Sequence, residues 1–115
     1  MSDGNGSVNT GRPTGPEVAE WKANFGRVIA IEEPVEMVFR KPSRQVWSEF
    51  LEAVTKQKGT NEMAYRRLCI ACCLYPRTVQ EVEQIFEDYP GLSLTMGDEI
   101  GEIAGHKGQV SVKKL

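Results

Sequence analysis

Cys69, Cys72 and Cys73 stand together in the stretch "CIACC", and no other residues in the chain come as near to chemistry by type and spacing. Cys69-x-x-Cys72 would share one face of a helix, with Cys73 turned away by about a third of a turn. Zinc normally takes four protein ligands in a structural site. The chain has a single histidine, His106, which follows the last helical pattern. A thioredoxin-like redox pair needs its two cysteines at a helix N-terminus after a strand, whereas this pair falls inside a helical pattern. The expectation is therefore no cofactor and no metal, with the three thiols acting as small buried hydrophobes.

The remaining candidates give no enzyme signature. His106 has no motif partner as base or nucleophile, and beside Gly105 it reads as a favourable charge at a helix C-terminus. Glu81, Glu83, Glu87, Asp88, Asp98, Glu99 and Glu102 fall on polar helix faces, as a solvated surface requires. The glycines of "TMGDEIGEIAG" are not a phosphate loop, because no strand precedes them and no Gly-Lys-Ser/Thr follows. Two basic pairs, Arg40-Lys41 and Arg66-Arg67, are the local positive patches and the candidate partner-binding residues, against an alternative of ordinary solvated surface.

Composition narrows the classes further. The 115 residues suit one domain with one modest core, at 40% hydrophobic and 26% charged. A formal net charge of -2 supplies no global positive field, so neither nucleic acid nor an anionic membrane is an expected partner. No apolar run approaches the roughly 20 residues that span a bilayer. The start "MSDGNGSVNTGRPTGP" lacks a charged-then-apolar export pattern, and an odd number of cysteines favours free thiols in a reducing cytoplasm.

The elements that would position these residues form an α+β domain, a β-hairpin followed by a compact bundle of about four short helices. Residues 1–16 are polar, glycine-rich and expected to be a disordered tail; 17–105 form the domain, and 106–115 a flexible basic tail. "EVAEWKANF" predicts a short helical turn, with Trp21 and Phe25 on one face. "RVIAIEEPVEMVFRKP" predicts two strands about a turn at Glu33-Pro34, pairing Ile31 with Val38 and Ala30 with Phe39. Ser43 is an N-cap for the stripe Val46, Trp47, Phe50, Leu51 and Val54. A second helix, about Glu62 to Leu74, should be the most buried and end at Tyr75-Pro76. Thr78 and Glu81 form a capping box for a third helix bearing Val82, Ile85, Phe86 and Tyr89. A fourth, about Ser93 to Ala104, carries Met96, Ile100 and Ile103, with Gly97 and Gly101 expected where another backbone packs closely.

Taken in order, "EWKANFGRV", "FRKPSRQVWSEF", "LCIACCLYP", "VEQIFEDYPGL" and "IGEIAG" make Trp21 to Gly105, about three quarters of the chain, similar to the tail assembly chaperones of long-tailed bacteriophages. The resemblance implies a non-catalytic protein of the host cell cytoplasm that binds the tape measure protein and assists tail tube assembly. It also implies a frameshifted extension, appended near Val110 to Leu115, through which the major tail tube protein is recruited. Open hairpin edges add self-association as an expectation. A small structural virion or tail component, or another phage protein–protein adaptor, fits the same outline.

Overall fold

Serine and threonine side chains start four of the five helices. Thr14 accepts from the Glu17 N–H at 3.2 Å, Ser43 from Val46, Thr60 from Met63 and Thr78 from Glu81. Each occupies a donor that the first helical turn leaves without a partner. The computed structural model describes residues 11–57, 59–105 and 113–115. In chain order it contains α1 Gly15–Phe25, β1 Val28–Ile31, β2 Met37–Arg40, α2 Arg44–Thr55, α3 Asn61–Cys72, β3 Cys73–Tyr75, α4 Val79–Asp88 and α5 Leu92–Ala104. This is an α+β globule, with a small three-stranded antiparallel sheet and five helices among the described residues. Residues 1–10 of the expected N-terminal tail, and residues 106–112 with His106 among them, lie outside those described.

The strands depart from the sequence reading in two ways. First, the hairpin register is shifted by one: Ile31 faces Met37, Ala30 faces Val38 and Ile29 faces Phe39. A two-residue period makes that shift decisive, because it places Ile29, Ile31, Met37 and Phe39 together on the face that meets the core. Second, α3 stops at Cys72 and not at Tyr75-Pro76. Cys73 adopts an extended backbone (φ -78°, ψ 126°), and Cys73–Tyr75 joins the sheet as β3 beside β2. The sheet order is β1-β2-β3, so the central strand is covered on both edges. Met37, Val38 and Phe39 are accordingly all buried.

Helices pack on the core face of this sheet. Leu68, Cys69 and Cys72 of α3, Val82 and Phe86 of α4, and Met96 and Ile100 of α5 join Met37 and Phe39 in one cluster. At about 25 cal/mol per Å² of apolar surface removed from water, such residues supply most of the stabilisation available to a small domain. α3 shares the centre with α5, which buries Ser93, Met96, Gly97, Ile100 and Ile103. α2 has no fully buried residue; Trp47 and Phe50 are half-buried, their rings 5.2 Å apart, with Phe50 5.3 Å from Tyr65.

The other sheet face carries the N-terminal segment. Gly11 to Pro16, assigned to a disordered tail from the sequence, is held against the domain. Arg12 pairs with Glu36 at 2.8 Å, and Arg77 reaches both the Gly11 carbonyl and Glu17 at 2.8 Å. Arg40 lies over the Phe25 ring at 4.0 Å, and Arg77 over Tyr75 at 5.1 Å. These cation–π contacts and ion pairs fasten α1 across the sheet.

The two glycines of α5 face rings rather than backbone. A Cβ on Gly97 would collide with the Tyr65 ring, whereas one on Gly101 would meet Trp47 at an ordinary 3.6 Å. Gly97→Ala is therefore expected to destabilise, because overpacking of about 1–3 kcal/mol exceeds a helix-propensity gain of about 1 kcal/mol. Gly101→Ala keeps the gain and should raise the urea midpoint. Equal shifts for the two variants would contradict the placement of α5 against Tyr65.

Candidate partner-binding site

The two basic pairs do not form one patch of free charge. Arg66 and Arg67 are neighbours on α3 and point to different surroundings. Arg66 donates to Glu87 of α4 at 2.8 Å and forms an ion pair with Glu62, Nε to Oε2 3.3 Å, without a hydrogen bond. Hydrogen bonding to Glu87 holds its guanidinium still more firmly charged. Arg66 thus ties α3 to α4 and has little left to offer a partner. Arg40 is similarly engaged, stacked on Phe25 and donating to the Lys41 carbonyl at 3.0 Å. Lys41 and Arg67 are the exposed members of the two pairs.

Arg67 borders a cavity that the sequence did not announce. Val46, Phe50 and Ala53 of α2 face Ala64, Leu68 and Ala71 of α3 across a space of about 180 Å³. Glu49 and Arg67 add one charge of each sign to this apolar lining. The space arises from alanines at 53, 64 and 71, which leave the two helices in contact through larger neighbours but unfilled between them. It falls below the about 300–1,000 Å³ of a typical small-molecule site. One or two aliphatic side chains would suit it better than a cofactor, and helix-in-groove recognition places such side chains at positions three or four apart. Leu51 on α2 and Met63 on α3 are exposed large hydrophobics of the same two helices.

The cysteines sit deep in the domain. Cys69 and Cys72 are buried and Cys73 is half-buried, and all three are free thiols. The Cys69 Sγ donates to the Ser93 carbonyl at 3.5 Å, and the Cys73 Sγ to the Tyr75 carbonyl at 3.2 Å. Burial pushes all three thiols up: Cys72 to about 11, Cys73 to about 12, and Cys69 furthest. A nucleophilic or metal-binding cysteine is a thiolate; burial here favours the protonated form. Among the described residues, no group of three or more His, Cys, Asp or Glu is placed to hold a metal ion.

Sequence reasoning missed a buried polar contact nearby. Ser93 is fully buried, and its hydroxyl donates to Glu62 at 3.3 Å. Its position directly after the Pro90-Gly91-Leu92 break suggested only a helix start. The link across 31 residues leaves no trace in local pattern.

Residues 21–113 match a family model described as a domain of unknown function, DUF6848. The chain is also similar to a solved structure of an uncharacterised protein from Bacillus stearothermophilus. The two share 29% identity with a TM-score of 0.60, covering 84% of this chain and 99% of that one. No curated protein matches the chain. Among the described residues, no helix is long and apolar enough to cross a membrane.

Proposed function

This chain belongs to the DUF6848 family, and we propose that it is a non-catalytic assembly chaperone of a long-tailed bacteriophage, acting in the host cell cytoplasm. Its client is the tape measure protein, and its task is to keep that protein soluble while the tail tube assembles. The observation that carries this reading is the apolar groove between α2 and α3, with Glu49 and Arg67 beside it. A tape measure is a long helical protein with apolar faces and no core of its own. Its aliphatic side chains would enter the groove while Glu49 and Arg67 meet charges on its flanks. Each contact is small, so affinity would come from several copies of the chaperone along one client. In this arrangement the helical bundle after the hairpin holds the client, and an extension after the last helix would contact the tail tube protein.

Co-expression with the tape measure of the same phage tests the proposal. The client should become soluble and co-purify, and Arg67→Glu should reduce the co-purified amount severalfold. Lys41→Glu probes the other exposed basic position. Arg66→Glu is a contrasting variant: it places an acid beside Glu62 and Glu87 and should lower thermal stability. A client that stays insoluble and never co-purifies would remove the chaperone assignment.

A further inference from the structure

Among the described residues β1 is an edge strand, since the sheet order β1-β2-β3 leaves one side of Val28–Ile31 with no described strand beside it. The backbone groups on that side follow from the register. Opposed residues in an antiparallel ladder alternate between hydrogen-bonded and non-hydrogen-bonded pairs. The Lys41 N–H donates to the Arg27 carbonyl at 2.9 Å, so Ile29 with Phe39 and Ile31 with Met37 are the hydrogen-bonded pairs that follow. Val28 and Ala30 therefore turn their N–H and C=O groups away from β2, toward the open edge.

The flanks of this strand are opposite in charge. Arg27 precedes it, and Glu32 and Glu33 follow it; all three are exposed. None of the ion pairs among the described residues uses them. A segment basic at one end and acidic at the other is complementary to itself when antiparallel.

We infer that the β1 edge pairs with the β1 edge of a second copy of this chain. A two-fold axis at Ile29 sets Val28 of each copy opposite Ala30 of the other. Each such pair exchanges two hydrogen bonds, so all the outward groups of both residues are used. The same register sets Arg27 opposite Ile31 of the second copy, next to that copy's Glu32 and Glu33. The contact is isologous and closes at two copies, giving one six-stranded sheet. Four residues per strand make a small interface, so the dimer forms in a concentration-dependent manner and not as an obligate unit.

Sedimentation velocity of the full chain, from about 1 μM to about 1 mM, should show monomer passing to dimer. Ala30→Pro removes one outward donor per copy, at an edge position where proline is tolerated, and leaves the β2 ladder intact. It should weaken association by about tenfold or more. Arg27→Glu alone, and Glu32→Arg with Glu33→Arg alone, should each be monomeric, while mixing the two variants restores a heterodimer. If Ala30→Pro alters the circular dichroism, the charge-reversal mixture alone decides. A chain that stays monomeric throughout would overturn the inference, even if Ala30→Pro then weakened client binding, since that pattern assigns the edge to a client strand. A dimer indifferent to Ala30→Pro and to charge reversal would overturn it too, by placing the contact elsewhere.

Discussion

Leu68→Asp is expected to abolish the cooperative thermal transition. Leu68 is 2% exposed, packed in the central cluster with Phe39 and Phe86 and also lining the α2–α3 groove. A carboxylate there would have to ionise without a partner or remain protonated, and either course costs several kcal/mol. Domains have about 5–15 kcal/mol of stability in total, so such a cost removes a large share of it. Leu68→Ala separates charge from volume. It should cost about 2–5 kcal/mol and leave a measurable, lowered melting temperature. Circular dichroism melts of both variants check this. A wild-type melt for Leu68→Asp would mean that α3 does not run through the centre of the domain.

α3 was legible because its signals were local. Apolar residues at helical spacing gave its buried face, while its Thr60 cap, equally local, was not read from the sequence. The same holds for α2 and α4, whose caps at Ser43 and Thr78 depend on residues three positions away. The Thr78 cap differs in one detail: its hydroxyl accepts from the Glu81 N–H and donates to the Glu81 carboxylate at 2.7 Å. The two side chains thus bind one another at the helix start.

What local pattern could not supply was set by distant partners. Cys73 to Tyr75 continues an apolar run that reads as helix, yet β2 has an unpaired edge that those three residues complete. Satisfying that edge outweighs a further turn of helix, and nothing within the run itself signals it. The hairpin register failed for a related reason. Glu32 to Glu36 form a five-residue connection, longer than a tight turn about Glu33-Pro34 would need, so counting outward from Pro34 put each residue opposite the wrong neighbour. The Gly11–Glu17 segment is held by Arg77, 66 and 60 residues away from its two acceptors. A polar, glycine-containing stretch looks disordered until that arginine is placed beside it.

The candidate site was half legible. Arg67 could be named from the sequence as one of a basic pair, but its neighbour Arg66 has equal standing there. Only packing separates them, since Glu62 and Glu87 occupy one and a groove borders the other. Glu49 and the three alanines that leave the groove open gave no signal of their own. Alanine on a helix face is the commonest of residues, and a space between two helices belongs to neither sequence alone.

The thiols supply the last expected result, a loss of stability on the alkaline side. Their ordinary value is 9.0, and burial raises Cys72 to about 11 and Cys73 to about 12, with Cys69 higher again. Raised acids favour the protonated, folded form. Below about pH 9 both folded and unfolded chains keep these protons, and the stability they contribute is complete. As pH rises above 9 the unfolded chain releases protons while the folded one retains them, so stability falls through pH 9–11. Each thiol ionised only in the unfolded chain lowers stability by about 1.4 kcal/mol per pH unit. Three together would approach about 4 kcal/mol per unit, a large share of a small domain's total. Urea midpoints at half-unit steps from pH 8 to 10.5 should fall steeply in the wild type. The Cys69→Ala, Cys72→Ala, Cys73→Ala triple variant should start lower, because cavities replace the sulfurs, and fall less steeply. The two proteins differ only at the three cysteines, so the difference in slope isolates the thiols. Parallel slopes would show that the cysteines reach solvent in the folded state, and would reopen "CIACC" as a reactive site.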